Sequence, residues 1–303
     1  MRPREVRRWL VAGCLFGSLI SCTSNGSGNQ DAGKLDVVAS MYPVQFVVQR
    51  VAGDRASVEN LTPPGAEPHD LELTPRQVAA VRGADLVVLV RHVAPAVDDA
   101  TEGRSDQVLD LAGVQPLAQG YEAIEEGATS GERTEDPHVW LDPVRMQGLV
   151  EAVSARLGQV DETNRAGYTE RAAVLVRQLK DLDAEFRTGL ASCARNELVT
   201  SHNAFGYLAR RYALTQVGIL GLTPEEEPRP ARLAAVARYA RSHGVTTIFF
   251  ESLVSPKVAR TIAAEVGATT AVLDPIESQA AGGDYFSAMR ANLVAIRKAL
   301  GCR

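Results

Sequence analysis

Lysine, cysteine and long hydrophobic runs are all scarce in this 303-residue chain. Lysine stands only at Lys34, Lys180, Lys257 and Lys298, and the rest of the 32 basic residues are arginine. They are outnumbered by 37 acidic residues, leaving a formal charge of −5. That balance gives no basic footprint for nucleic acid and only weak attraction to an anionic membrane surface. Beyond the first twenty or so residues no apolar stretch approaches the roughly 20 residues needed to span a bilayer as a helix. The complete phosphate-loop signature, Gly-x-x-x-x-Gly-Lys followed by Ser or Thr, is absent, since Leu35 follows Gly33-Lys34, so the chain has no signature for ATP chemistry of its own. There is no His-Glu-x-x-His segment either, the helical signature of a large class of zinc hydrolases. With 45% hydrophobic and 23% charged residues, what remains is an ordinary globular composition, long enough for two domains with sizeable cores.

The first segment reads as an export signal. Arg2, Arg4, Arg7 and Arg8 make a positive start, and Trp9 to Ile20 is apolar but too short for a stable transmembrane helix. The run ends in Leu19-Ile20-Ser21-Cys22, which resembles the bacterial lipobox, so residues 1–21 are expected to be removed and Cys22 lipidated. The alternative is a plain secretory signal with an incidental cysteine. Losing residues 1–21 removes four Arg and one Glu and moves the formal charge from −5 to −8. Residues 22–34, rich in Ser, Gly, Asn and Asp, read as a flexible tether. The expected location is extracytoplasmic, anchored by lipid to the bacterial cell membrane.

Of the four cysteines, Cys14 leaves with the signal and Cys22 carries lipid, so Cys193 and Cys302 remain in a disulfide-permissive compartment and are expected to pair. A thiolate metal site is the competing use, but no His or Cys lies near either in sequence.

Past the tether, short apolar runs alternate with helical stretches, the pattern of an α/β protein. Strands are expected at Leu35–Ser40, Ser57–Leu61, Asp85–Val90 and Gln107–Leu111, and helices at Val44–Val51, Pro75–Arg82 and Val144–Leu157. The second half repeats the theme, with strands near 197–200, 216–219, 246–250 and 271–273 and helices over 204–212, 230–243, 256–266 and 285–300. Between the halves, Tyr168, Ala172, Leu175, Leu179, Leu182, Phe186 and Leu190 recur at steps of four and three, with Asp161 or Thr163 available as N-cap. This predicts one helix of roughly 28 residues and about 42 Å, long enough to bridge two lobes. The expected division is 35–158 for an N-terminal lobe, 159–192 for a linking helix and 193–303 for a C-terminal lobe. Each lobe is expected to hold a mostly parallel sheet flanked by helices.

His69, His138, His202 and Asp274 stand out against this background, at intervals of 69, 64 and 72 residues, each beside a proline or in a Ser-His pair of the kind that ends a strand. A zinc finger uses short local pairs; this spacing means a metal site assembled from separate segments by the tertiary fold. His92 and His243 lack such surroundings.

Several motifs in order carry a resemblance: the lipobox, Met41-Tyr42-Pro43, Glu67-Pro68-His69-Asp70, Asp136-Pro137-His138-Val139-Trp140-Leu141-Asp142-Pro143, Thr200-Ser201-His202-Asn203-Ala204-Phe205-Gly206-Tyr207 and Leu273-Asp274-Pro275. Together they resemble the zinc and manganese substrate-binding lipoproteins of ABC transporters, over nearly the whole chain past the signal. The resemblance implies two α/β lobes on a long backbone helix, one metal in the cleft, and no enzymatic turnover. It maps the ligands onto His69 and His138 from the first lobe and His202 and Asp274 from the second. It implies a cognate permease with a separate ATPase as partners, and a monomer.

Three imidazoles and one carboxylate suit tetrahedral Zn²⁺, whereas manganese-selective relatives usually offer Glu where His202 stands. Zinc is therefore the expected cargo and Mn²⁺ the alternative. For the fourth ligand, Glu67, Glu251 and a water remain open beside Asp274. A zinc-dependent hydrolase, which must leave one coordination position open, and a surface adhesin are the other function classes. The stretch Gln119–Asp136 is acidic, contains no histidine and reads as a solvated loop, unlike the histidine-rich loop of many zinc-binding relatives.

Overall fold

The structure, a computed structural model, describes residues 33–119, 135–224, 227–279 and 282–303. The signal, Cys22, most of the tether and most of the acidic stretch 119–136 lie outside the described residues.

In the first half the chain runs β1 (Leu35–Ala39), α1 (Tyr42–Ala52), β2 (Ala56–Asn60), α2 (Pro75–Gly83), β3 (Leu86–Leu89), α3 (Pro95–Ala100), β4 (Val108–Asp110) and α4 (Pro143–Val160). A long helix α5 (Arg165–Leu190) follows. The second half contains β5 (Glu197–Thr200), α6 (Gly206–Arg211), β6 (Thr215–Gly218), α7 (Pro230–Ser242), β7 (Thr247–Phe250), α8 (Lys257–Val266), β8 (Thr269–Val272) and α9 (Tyr285–Leu300). The expected α/β architecture of two similar parallel sheets joined by one long helix is what the chain adopts.

The two sheets share one topology, in the orders β2-β1-β3-β4 and β6-β5-β7-β8, with every pairing parallel. Parallel strands need both faces covered, and β3 (Leu-Val-Val-Leu) is buried at all four positions. The chain winds outward from β1 to β2, then returns to the far side of β1 to form β3; β5, β6 and β7 repeat the reversal. At such a switch point the connections leaving neighbouring strands part and open a crevice at the carboxyl ends of the strands.

Local sequence accounts for the helix boundaries. Thr74 and Gln77 form a reciprocal capping box at α2, with Pro75 in the first turn, and Asp142 caps α4 by accepting from the Val144 amide ahead of Pro143. Gly267 ends α8 in the left-handed region, at φ 73°. Asp161 caps a short 3-10 turn, accepting from the Asn164 amide, and α5 itself begins only at Arg165. The six-residue helix α3 was not expected from the sequence, because fewer than two turns of helix show no clear period.

Helix α5 buries the seven residues of the expected stripe, Tyr168 through Leu190. Its 26 residues extend about 39 Å. The same stripe belongs to a core cluster that includes Phe46, Trp140 and Leu149 from the first half and Phe205, Phe249 and Tyr285 from the second. Two further clusters cover the outer faces of the two sheets, one of them around Leu61, Val87 and Val97 and the other around Val199, Val236 and Ile248. The middle cluster is common to both halves, so burying each of its large side chains, worth roughly 1.5–3 kcal/mol, stabilises both sheets at once. Polar contacts reinforce the frame: Arg171 donates to the Val51 and Ala52 carbonyls at the end of α1, and Glu185 pairs bidentately with Arg290 of α9. Cys193 and Cys302 form a disulfide that ties the third residue past α5 to the second residue past α9. No helix among the described residues is long and apolar enough to cross a membrane.

Candidate metal centre

Four connections that follow strand ends converge where the two sheets face each other. His69 lies in the β2–α2 connection, His138 in the segment after β4, His202 two residues past β5 and Glu277 in the β8–α9 connection. These four residues present one donor atom each, all within 4.8 Å of one another. The side chains are all but sealed from solvent, with exposures of 2% for His69 and 0% for His138, His202 and Glu277.

The distances discriminate between a hydrogen-bonded cluster and a metal cage. His138 Nε2 and His202 Nε2 lie 3.4 Å apart, and Glu277 Oε1 is 3.5 Å from His69 Nε2, 3.5 Å from His138 Nε2 and 3.9 Å from His202 Nε2. These exceed the usual 2.7–3.2 Å of an N–H···O bond. The three shorter separations lie close to the edge of a tetrahedron: with metal–nitrogen bonds of about 2.0–2.1 Å, neighbouring donors sit about 3.3–3.4 Å apart, while the 3.9 Å edge from Glu277 to His202 is longer. Both Glu277 oxygens and both His69 ring nitrogens are buried without a hydrogen-bond partner. Such groups are expensive to bury unsatisfied, and a cation at their common focus would satisfy them together.

Supporting carboxylates set the imidazole tautomers. His138 Nδ1 lies 2.9 Å from Asp136 Oδ1, which also accepts from the His138 amide at 3.0 Å, and His202 Nδ1 lies 2.7 Å from Glu251 Oε1. A proton kept on each Nδ1 by its carboxylate leaves the neutral ring's Nε2 lone pair facing the focus. Burial alone would push the His138 imidazolium pKa down, but the contacts with Asp136 and Glu277 outweigh it and raise it to about 9. Burial would likewise push Glu277 up, yet His138 and His69 hold it well below the usual carboxylate range. Asp136 is itself fastened: its carbonyl accepts from the Tyr207 hydroxyl at 2.8 Å, and its Oδ2 lies 3.7 Å from Arg210 Nη2.

The structure brings His69, His138 and His202 together as expected from their motifs, but it does not bring Asp274 into the group. Asp274 Oδ1 instead accepts from the Ile276 amide at 2.7 Å. Burial, with the nearby Glu277 and Glu251 charges, raises its pKa. The shorter side chain is committed to the turn, and the carboxylate that joins the three histidines is that of Glu277, three residues on. Glu251 is also not among the four donors; it orients His202 from behind. Glu67 accepts from the His69 amide at 3.4 Å and steadies that loop. Glu277 lies outside the Leu273-Asp274-Pro275 motif, and its one signal in the sequence is that it is a second acidic residue in the same strand-end turn.

That turn is strained. Ile276 sits at φ 60°, a costly conformation for a β-branched residue, on the order of 1–3 kcal/mol. It is held from the opposite half, since Trp140 Nε1 donates to the Pro275 carbonyl at 2.7 Å and the Tyr285 hydroxyl donates to the Trp140 carbonyl at 2.6 Å. The Gly65 amide, in the connection that carries His69, donates to Ser278 Oγ at 2.7 Å.

Comparison with known proteins fits this geometry. Residues 37–299 match the family described as zinc-uptake complex component A, periplasmic (ZnuA). The chain belongs to this family. It is 35% identical to the high-affinity zinc uptake system protein ZnuA of Bacillus subtilis, an alignment covering 96% of each chain. Among solved structures it is similar to Zn(II)-bound AdcA from Streptococcus pneumoniae, at 34% identity and a TM-score of 0.75, covering 88% of this chain and 58% of AdcA. The chain thus spans little more than half of that longer relative. A laminin-binding adhesin from Streptococcus agalactiae is similar too, at 30% identity and a TM-score of 0.79, covering 88% of this chain and 99% of the adhesin's.

Proposed function

We propose that this protein captures Zn²⁺ outside the cytoplasm and passes it to the permease of an ABC-type uptake system whose ATPase is a separate chain. The observation that carries the reading is the convergence of one donor atom each from His69, His138, His202 and Glu277, all within 4.8 Å of one another, in a site sealed from solvent. His69, His138, His202 and Glu277 are the proposed ligands, with Asp136 and Glu251 orienting two of the imidazoles.

Three nitrogens and one oxygen favour Zn²⁺ over Mn²⁺, which prefers a harder, oxygen-rich shell. Four protein donors also close the coordination shell, whereas a hydrolytic zinc site keeps one position for water. The proposed role is therefore binding and delivery without turnover. Release requires the donor set to be taken apart, because a buried ion cannot leave a closed cage otherwise. Residues 1–21 serve as export signal, Cys22 as the lipid attachment point and residues 22–34 as a tether. The lobes 35–158 and 193–303 flank the linking segment 159–192, and the protein acts as a monomer.

Trp140 is the one tryptophan left after signal removal, and its ring centroid lies 5.2 Å from that of His138. Chelator-stripped protein titrated with zinc is expected to change its tryptophan emission and saturate at one ion per chain, with manganese binding far more weakly. His202→Ala is expected to lower zinc affinity by at least about 100-fold; unchanged affinity would falsify the proposed centre.

A further inference from the structure

We infer that Asn292, outside the four-donor group, is a positioning residue that aims Glu277 through the Asp274 turn; this builds on the proposed metal centre. Asn292 is on α9 and only 3% exposed, among Met289, Leu293 and Ile296 of the common core. A buried amide in such surroundings needs partners for both its ends. It finds them on one residue: its Oδ1 accepts from the Asp274 amide at 2.9 Å, and its Nδ2 donates to the Asp274 carbonyl at 2.6 Å.

The placement explains why an amide is used. β8 is the edge strand of its sheet, and Asp274 stands two residues past its end, where no further strand satisfies the backbone. The side chain of Asn292 replaces the missing strand, pairing with donor and acceptor of the same residue. Asp274, so fixed, accepts from the Ile276 amide and keeps that residue at φ 60°. Glu277 follows directly, and neither of its carboxylate oxygens has a hydrogen bond of its own. Its aim is therefore set by the backbone behind it, and the contacts that set that backbone run through Asp274 to Asn292, with the Trp140 bond to Pro275 as the cross-brace.

A double-mutant cycle on the full chain after signal removal tests this. Zinc affinity is measured by chelator competition for Asn292→Ala, Glu277→Ala and the pair, and coordination is read from the visible d–d bands of the Co²⁺-loaded proteins. Loss of a supporting contact of this kind costs about 10–100-fold in metal affinity. Asn292→Ala is expected to show such a loss and a cobalt spectrum shifted towards that of Glu277→Ala, and the pair is expected to bind no more weakly than Glu277→Ala alone. Additive losses, or a wild-type cobalt spectrum and affinity in Asn292→Ala, overturn the inference while leaving the metal centre intact. Wild-type affinity in Glu277→Ala instead overturns the centre itself. Should Asn292→Ala fail to fold, Asp274→Ala cuts the same relay one step later and is expected to give the same signature; wild-type behaviour there overturns the relay.

Discussion

His138 carries the sharpest chemical consequence of the site. Without metal its pKa is raised to about 9, so zinc bound there at neutral pH is expected to displace a proton from it. Zinc affinity is expected to climb with pH up to about 9 and then flatten, and calorimetry in buffers of different ionisation enthalpy reads the released proton directly. Stability of the zinc-free protein has the opposite sign. The folded value lies above the unfolded one of about 6.5, so the contribution is complete below that pH and is lost as pH rises through about 9. Denaturant melts of stripped protein at pH 6 and 9.5 check the trend; greater stability at the higher pH contradicts it. Asp136→Asn is expected to reduce this dependence, leaving the part due to Glu277, and to weaken zinc binding about 10–100-fold. At this scale the three histidines were legible because each stands in a rigid motif, His138 after Pro137 and His202 after Ser201. Glu277 was not, because its reach depends on the left-handed Ile276, and nothing in a linear sequence marks an isoleucine as left-handed.

Among the elements, α5 was the most legible and the loops the least. Seven apolar residues at helical spacing leave one solution, and the structure buries all seven. α3 and the exact start of α5 were decided by turns too short to show a period. The disulfide belongs to this scale because it pins the α5 end to the end of α9 across a sequence separation of 109. In the chain-entropy model a loop of that length contributes about 4–5 kcal/mol. Cys193→Ser with Cys302→Ser is expected to lower the unfolding free energy by up to this amount, measured by denaturant unfolding, with zinc stoichiometry unchanged because neither cysteine approaches the donors. Insensitivity of the oxidised protein's midpoint to reductant would remove the disulfide from the stability account.

For the whole molecule, the common core makes separate melting of the two halves unfavourable, since either sheet unfolding alone would expose the α5 stripe. The strand orders that create the facing crevices were not legible in the sequence: alternation of strands and helices specifies parallel sheets but not which strand returns beside which. Zinc, binding only where both halves meet, is expected to stabilise the chain as a unit. At one hundred times its dissociation constant the gain is about 2.7 kcal/mol, and the melting temperature rises with free zinc in a single transition. Two transitions, only one of them zinc-dependent, would contradict the common core.

The donors at positions 69, 138, 202 and 277 come from four different strand-end connections, and no two of them lie on a common helix or strand. A partial chain therefore has no pair of neighbouring donors to chelate with, and no peptide cut from the protein retains the cage. Possession of the ion is a certificate of completed folding. On the proposed ligand set, an unfolded chain holds no preformed cage, and the centre is loaded only after the chain has folded.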